Sequence, residues 1–264
     1  MLYGARMRLR IHAFLDYAFP RPADVLLQIE AAALPDQRLL HQALGVGSPL
    51  PLRALTGPDG IGQVTLARAE GRLTAEYEAV VEIARDPVQL ETLAATAVRD
   101  LPAGTVAYLL PSRYCEVARF EHFVRREFAG LAGGALATAL AEWVRTALVY
   151  DNGAPRDASA LTTFAERRGV CRDYAHLLVA LARAADIPAR CVAAYAPGVD
   201  PPDFHAVAEL WLEGAWRLVD ATGMARADEL ARVVVGRDAT EIAFLTIFGE
   251  AQLIAQHVTV RREP

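Results

Sequence analysis

One cysteine in the second half of the chain is predicted to lie at the start of a helix. Cys171 follows Gly169 and Val170 and opens the most apolar helical segment of the sequence. A thiol in that place faces the positive end of the helix dipole, which favours the nucleophilic thiolate form. An isolated cysteine is more often a small buried apolar residue. The helix start makes the nucleophilic and the structural interpretations of Cys171 about equally strong.

A histidine and an aspartate further along the chain are predicted to lie on neighbouring strands. His205 opens one strand, Asp220 lies near the end of the next, and Glu213 and Gly214 form the turn between them. With the turn centred there, Val207 faces Asp220, and His205 is its diagonal neighbour on the same face, about 7 Å away. An aspartate in that place can hold the imidazole and select its tautomer. The prediction depends on the turn, because a register shift of one residue would separate the pair.

Together these residues form a possible set of nucleophile, base and orienting carboxylate. His205 follows Cys171 by 34 residues, and Asp220 follows His205 by 15. A nucleophilic thiol needs such a base to take its proton, and the base needs a third group to orient it. The set therefore indicates acyl transfer through a thioester on Cys171.

The remaining reactive side chains of this region are predicted to be structural. His176 lies five residues after Cys171 and points to another side of the helix, while Asp173 supports the first helical turn. Cys115 and Cys191 have no partner cysteine or histidine at metal-ligand spacing, so we expect no zinc site. Asp203 is expected either to line the cleft or to cap a loop.

The elements that must position these residues differ between the two halves of the chain. Apolar and polar residues alternate in the first hundred residues, with clusters of proline, glycine and aspartate at 34–36 and 57–60, which predicts an antiparallel β-sandwich. Its predicted strands are 7–19, 25–32, 62–68 and 72–84. A boundary at 100–104 divides the chain into a β-rich domain, 1–105, and a second domain, 106–264.

The second domain is predicted to contain helices followed by an antiparallel sheet, an α+β pattern. Tyr174, Leu177, Leu178 and Leu181 form an apolar stripe in the strongest helix, which Pro188 ends. The predicted helices are 120–128, 134–150, 161–167 and 171–186, and the predicted strands are 189–196, 205–212, 215–222 and 252–261.

Composition excludes several classes of function. The chain has 264 residues and 27 basic side chains, and every one of these is arginine. Without lysine there is no Schiff-base chemistry, no pyridoxal-phosphate anchor and no Walker-type phosphate loop. A net charge of −5 gives no basic surface for nucleic acid.

The sequence also lacks the signals of export and membrane insertion. No run of 18 apolar residues occurs, the first residues have no apolar signal segment, and three cysteines are too few for a disulfide framework. We therefore expect a cytoplasmic protein with no membrane contact. The sequence calls for no cofactor and leaves the oligomeric state open.

Four motifs of the second domain together resemble the bacterial transglutaminase-like cysteine enzymes over about residues 130–260. They are Arg-Gly-Val-Cys-Arg-Asp-Tyr-Ala-His at 168–176, Ile-Pro-Ala-Arg at 187–190, Phe-His-Ala at 204–206 and Trp-Arg-Leu-Val-Asp-Ala-Thr at 216–222. The resemblance implies a papain-like fold with Cys171 as nucleophile, His205 as base and Asp220 as orienting residue. It also implies that a β-rich N-terminal domain precedes this core.

Two positions depart from the pattern of that family. Val207 stands where a tryptophan is common, and Ala221 stands where a proline is common. Both leave the three catalytic positions unchanged, so they bear on substrate specificity more than on the chemistry. The implied activity is hydrolysis of a peptide or amide bond in a peptide or protein substrate. A protein-glutamine transglutaminase, an acyltransferase with a thioester donor and a non-catalytic peptide-binding or protein-binding module remain alternatives.

Acyl transfer also needs hydrogen-bond donors for the oxyanion. The backbone N–H of Cys171 is the first candidate. Trp143, in the helix at 134–150, is the candidate side-chain donor, with a place in the apolar core as the competing interpretation.

Overall fold

The computed structural model describes residues 6–155 and 157–263 of the chain. Its first half is rich in strands: β1 (Met7–Ala18), β2 (Ala23–Leu27), β3 (Gln37–Val46), β4 (Arg53–Thr56), β5 (Gln63–Ala69) and β6 (Arg72–Ile83). The middle contains α1 (Ala103–Val106), α2 (Glu121–Glu127), α3 (Gly133–Ala147), β7 (Val149–Tyr150), α4 (Ala160–Glu166), β8 (Arg168–Gly169) and α5 (Cys171–Arg183). The last part contains β9 (Ala189–Tyr195), β10 (His205–Leu212), β11 (Ala215–Val219), β12 (Ala231–Gly236), α6 (Ala239–Ile242), β13 (Leu245–Phe248) and β14 (Gln252–Glu263).

Two four-stranded antiparallel sheets contain the strands of the first hundred residues. Their strand orders are β14-β1-β6-β3 and β13-β2-β5-β4. In β6, Leu73, Ala75 and Tyr77 are buried while Arg72, Glu76 and Glu78 are exposed, as the alternating pattern predicts. Leu9 of β1 and Val25 of β2 belong to the same hydrophobic cluster, so the two sheets share one core. The structure thus has the predicted β-rich N-terminal region, in which the sequence pattern missed β3 and β4.

A third antiparallel sheet, in the order β11-β10-β9-β12, carries the second half of the chain. Helix α5 packs on β9 and β10. All residues of this helix from Asp173 to Arg183 are buried, whereas the sequence predicted one apolar stripe. The difference arises because α3 and α4 cover the side of α5 that faces away from the sheet. The result is the predicted α+β fold, with a central helix whose first residue is Cys171.

The hairpin of β10 and β11 has the predicted register. Ala208 pairs with Val219 and Leu212 with Ala215, which centres the turn on Glu213 and Gly214. These two turn residues have φ angles of 49° and 73°, the left-handed conformation that a tight two-residue hairpin turn requires. The turn therefore fixes the positions of His205 and Asp220 relative to each other.

The last two strands of the chain return to the first two sheets. β13 pairs with β2, and β14 pairs with β1 along eleven residue pairs. The sequence predicted a final strand at 252–261, and the structure confirms it. The division into domains at 1–105 and 106–264 stays a prediction, and this pairing places residues 245–263 beside strands of the first hundred residues.

A buried cluster of opposite charges connects the third sheet to the β-rich region. Glu209 of β10 is fully buried and accepts hydrogen bonds from Arg190 on one oxygen and from Arg232 on the other, at 2.8 Å each. Arg232 also pairs with Asp36, which follows β2 and receives a further bond of 2.7 Å from Arg85. The ion pairs thus join segments that are far apart in the sequence.

Among the described helices, none is both long and apolar enough to cross a membrane.

Candidate active site

Cys171 is the first residue of α5, and the residues around it fix that start. The Val170 carbonyl accepts hydrogen bonds from the N–H groups of Asp173 at 2.8 Å and Tyr174 at 3.1 Å. In return, the Asp173 carboxylate accepts one from the Val170 N–H at 2.9 Å. Gly169 lies so close that a Cβ atom there would stand 2.6 Å from the Cβ of Asp173, so only glycine fits. This arrangement presents the partly exposed thiol of Cys171 at the helix start.

His205, the first residue of β10, is bonded to Asp220, which directly follows β11. The distance from Nε2 of His205 to Oδ2 of Asp220 is 2.9 Å, and both side chains are almost fully buried. The predicted neighbourhood of the two residues is therefore present. Nδ1 of His205 is buried and has no hydrogen-bond partner of normal geometry among the described residues. It is the ring nitrogen left available for the thiol.

The residues after Asp220 donate further hydrogen bonds to its two carboxylate oxygens. Oδ1 accepts hydrogen bonds from the backbone N–H of Thr222 at 2.9 Å and from its hydroxyl at 2.7 Å, and Oδ2 accepts one from the N–H of Ala225 at 2.9 Å. Burial alone would raise the pKa of Asp220, but the bonds from His205 and Thr222 outweigh it and lower the pKa. Asp220 is therefore held in one orientation as a carboxylate.

The surroundings of His205 favour its protonated form. Burial lowers the pKa of this imidazole, but the hydrogen bond to Asp220 and the neighbouring Cys171 thiol outweigh that effect and raise the pKa to about 10. An imidazolium next to a thiol stabilises the thiolate. The site thus places a protonated, carboxylate-bonded imidazole beside the thiol at the start of α5.

Cys171 and His205 line the same cleft, which encloses about 300 Å³. Most of its wall is apolar, and the rings of Phe204 and Phe244 stack with centroids 4.3 Å apart. The polar side chains of the lining are those of Cys171, His205, Arg172 and Asp203. Arg172 is bonded to the buried Asp173 at 2.7 Å. The other residues lining the cleft are Val170, Ala193, Ala206, Ala239, Ile242 and Ala243.

Trp143 lies in an aromatic cluster rather than in the lining of the cleft. Its ring centroid is 4.9 Å from that of Phe123 and 5.5 Å from that of Phe164, and the Arg167 guanidinium lies 4.7 Å from its ring centroid. These are the contacts of a packed core residue. Its role as an oxyanion donor stays a prediction, and no contact among the described residues supports it.

The other reactive residues have structural contacts. His176 is buried, its Nε2 accepts the N–H of Ala239 at 3.0 Å, and burial lowers its pKa to about 3. Cys115 and Cys191 are fully buried. Asp203 has both of the roles predicted for it, because it lines the cleft and accepts a hydrogen bond at the end of its loop from the N–H of Phe204 at 2.7 Å.

A potential metal-binding group lies away from the cleft. His12, Glu76 and Glu78, on β1 and β6, have ligand atoms within 4.8 Å of one another. Nε2 of His12 already bonds Glu76 at 2.9 Å, and both glutamates are exposed, as is common in cross-strand ion pairs. Within the described residues, it is the single group with this spacing.

Two parts of the site were not predicted from the sequence. The segment 239–244, which includes α6, forms one wall of the cleft although it follows Cys171 by almost seventy residues. Tyr150 pairs with Gly169 across the short parallel strands β7 and β8. The Tyr150 hydroxyl lies near the nucleophile. Its pKa is raised by burial first, and then by the charges of Cys171 and Asp203. The parallel pairing of β7 and β8 has no local sequence signal.

Comparison with known proteins finds a family model and similar chains. Residues 129–221 match the family model of the transglutaminase-like superfamily, a range that contains Cys171, His205 and Asp220. An uncharacterised protein of Mycobacterium leprae is 32% identical over 114 residues, which cover 40% of this chain and 41% of that protein. This chain thus matches less than half the length of that curated relative.

Solved structures extend the comparison to the whole chain. A proposed cysteine protease from Cytophaga hutchinsonii is 30% identical and superposes with a TM-score of 0.91, covering 98% of this chain and 91% of the other. The periplasmic domain of TgpA from Pseudomonas aeruginosa is 20% identical, with a TM-score of 0.41 over 84% of this chain and 89% of that domain. From the family match and the full-length likeness to the Cytophaga structure, the chain belongs to the transglutaminase-like superfamily.

Proposed function

We propose that this protein is a cysteine-dependent acyl-transfer enzyme that hydrolyses a peptide or amide bond through a thioester on Cys171. The observation that carries the proposal is the His205–Asp220 bond of 2.9 Å beside the Cys171 thiol, with the pKa of His205 raised to about 10. A protonated imidazole held next to a thiol at a helix start prepares both partners of the first step.

In that step the Cys171 thiolate attacks the carbonyl carbon of the amide. The carbonyl π electrons move to the oxygen, and the backbone N–H of Cys171 stabilises the oxyanion. The Tyr150 hydroxyl, which lies near Cys171, is a better-placed side-chain donor than Trp143. When the C–N bond breaks, its electron pair returns to nitrogen, which takes the proton from the imidazolium. The products are a free amine and a thioester.

The second step returns the enzyme to its starting state. His205, now neutral, removes a proton from water, and the hydroxide attacks the thioester carbonyl. The C–S bond breaks, releasing a carboxylic acid and the thiolate, while the proton stays on His205. Asp220 holds the imidazole in one orientation throughout. If an amine enters instead of water, the same geometry yields a transamidation product.

The first experiment identifies the nucleophile. The folded protein is treated with iodoacetamide or with a peptide carrying an electrophile, and the three cysteines are mapped by mass spectrometry. We expect Cys171 to be modified and the fully buried Cys115 and Cys191 to serve as internal controls. Modification of Cys115 or Cys191 ahead of Cys171 would contradict the proposal.

The second experiment identifies the reaction. A mixture of peptides is incubated with the protein, with and without an added primary amine, and compared with the Cys171→Ala variant. New peptide carboxylates that require Cys171 support hydrolysis, whereas amine adducts indicate a transglutaminase. Peptide binding without either product indicates a binding module and overturns the proposal.

A further inference from the structure

Asp203 stands where two cavities meet. It lines the cleft that contains Cys171 and His205, and it also lines a second cavity between the loop 196–202 and strand β14. It precedes His205 by two residues, and its charge contributes to the raised pKa of Tyr150 near the nucleophile. Although the protein surrounds it on several sides, its side chain is open to solvent. A ligand in the cleft can therefore reach it.

The carboxylate of Asp203 is held firmly on one side only. Oδ1 accepts hydrogen bonds from the N–H of Phe204 at 2.7 Å and from Nε2 of Gln256 at 2.5 Å. Gln256 belongs to β14, so the bond ties the loop to the β-rich region. Within residues 6–155 and 157–263, Oδ2 has no hydrogen-bond partner and Asp203 has no ion pair. The carboxylate is thus oriented and still able to accept hydrogen bonds.

Asp203 has no ion pair among the described residues, although the Arg261 guanidinium lines the second cavity with it. Arg172, the one guanidinium in the described lining, pairs with Asp173 at 2.7 Å. The surrounding protein partly desolvates Asp203 and raises its pKa, against the hydrogen bonds from Phe204 and Gln256. A cation placed against Oδ2 would offset that desolvation and form a charge-assisted hydrogen bond.

The rest of the wall suits the stem of a long cationic side chain. The stacked rings of Phe204 and Phe244 offer an apolar surface next to the carboxylate. Lysine and arginine pack their methylene groups on such surfaces while the charged end finds a polar partner.

We infer that Asp203 binds a protonated amino or guanidinium group of the substrate, close to the bond that Cys171 attacks. The inference rests on the proposed function, because it assigns the substrate class of the same cleft. The cation is either a basic side chain or the free amino terminus of a peptide.

The test measures binding to the Cys171→Ala variant, so that it does not depend on turnover. The probes are blocked six-residue peptides of glycine and alanine that carry lysine, norleucine or glutamate at each position in turn, and one such peptide with a free amino terminus. Titration calorimetry gives the affinities. We expect the best lysine peptide, or the peptide with the free terminus, to bind about tenfold more tightly than its neutral counterpart. Which of the two is favoured identifies the source of the cation.

Two further substitutions in the same background locate the effect. Asp203→Asn keeps the shape of the side chain and should abolish the preference for the cation. Asp200→Asn removes the same charge from an exposed position of the same loop and should leave the preference intact.

Equal affinities for all the peptides, no measurable binding, or a preference that survives Asp203→Asn overturns the inference. Since these measurements use a protein without the thiol, they are independent of whether Cys171 performs acyl transfer. The cysteine labelling and the peptide product assays test the proposed function separately from this inference.

Discussion

Two buried charged residues of β10, His205 and Glu209, differ in how far the surrounding residues satisfy their polar atoms. At His205, Nε2 bonds Asp220 while Nδ1 has no partner of normal geometry. Four residues later, both oxygens of Glu209 accept hydrogen bonds from arginines, Arg190 and Arg232. At the start of the strand, the buried pair of His205 and Asp220 thus keeps one ring nitrogen available. Further along the strand, both oxygens of the buried Glu209 carboxylate are bonded.

This difference separates the proposed reactive site from a structural one. A buried polar atom without a partner costs free energy. Such atoms occur among the described residues also at Nδ1 of His176 and at Nε of Arg232, so it is the place of Nδ1 of His205 beside the thiol that distinguishes it. Nδ1 of His205 is such an atom beside a thiol, and Glu209 offers no free oxygen to a ligand. We therefore expect changes at His205 to alter reactivity and changes at Glu209 to alter stability.

The largest expected effect is the loss of turnover in His205→Gln. Without the imidazole, nothing stabilises the thiolate of Cys171 or protonates the leaving amine, so amide hydrolysis should fall by about 10⁴-fold. The measurement is the initial rate of peptide cleavage at pH 7, with the amount of folded protein checked by circular dichroism.

A second readout of the same variant needs no substrate. At pH 6 an ordinary thiol with a pKa of about 8.5 is only about 0.3% ionised, so alkylation of Cys171 by iodoacetamide should slow by about a hundredfold in His205→Gln. An unchanged alkylation rate would contradict the reactive role assigned to His205, because His205 would then have no effect on the thiol.

The next largest effect is on stability, in Glu209→Gln. Removing the charge takes from Arg190 and Arg232 the fully buried carboxylate that they share. Each is left with one partly exposed carboxylate, Asp59 for Arg190 and Asp36 for Arg232. The free energy of unfolding should fall by about 3 kcal/mol. Urea denaturation followed by fluorescence measures it.

The matched control for Glu209 is Glu142→Gln, at an exposed pair with Arg145 in which both side chains are about half exposed. Such a pair contributes between about 0 and 1 kcal/mol. The alkylation rate of Cys171 in folded Glu209→Gln should equal that of the unmodified protein. A loss of reactivity with full stability would reverse the roles assigned to the two ends of β10.

The sequence predicted the contacts of His205 better than the contacts of Glu209. The turn at Glu213 and Gly214 and the regular pairing of β10 and β11 bring His205 near Asp220, so counting residues was sufficient. The helix start at Cys171 was predictable because the residues that fix it lie within four positions of one another. Local sequence determines both features.

Features that depend on contacts between distant segments were not predicted. The network of Glu209 joins residues 36, 190, 209 and 232, and no pattern in the sequence pairs them. Phe244 reaches the cleft because of the packing of the segment around α6. The packing of Trp143 with Phe164 and Arg167 likewise depends on how α3 meets α4. Strands β12 and β13 were missed as well, since their neighbours in the sheets are far along the chain.

The last effect, the smallest for a single pH unit, concerns the proton that the pair of His205 and Asp220 holds. Because Asp220 raises the pKa of His205, the folded protein binds this proton more tightly than the unfolded chain. The resulting stability is fully present below about pH 6.5, the ordinary value for histidine, and is lost as the pH rises through the folded-state value of about 10. The lowered pKa of Asp220 acts in the opposite direction, giving stability above its ordinary value that is lost in acid.

The experiment is best done in Cys171→Ala. Ionisation of the thiol in the same pH range would otherwise make its own contribution to the pH dependence of the free energy of unfolding. Without Cys171, only Asp220 raises the pKa of His205, so the stability should be lost at a lower pH than in the unmodified protein. Above pH 6.5 the free energy of unfolding should still fall with pH, by less than the limit of about 1.4 kcal/mol per pH unit that one proton allows. Adding His205→Gln should remove that slope, because the group that binds the extra proton is gone. Adding Glu209→Gln should lower the whole curve and leave its slope unchanged. If Glu209→Gln alters the slope as much as His205→Gln does, the proton is shared between the two ends of β10, and the separation of reactive from structural charge fails.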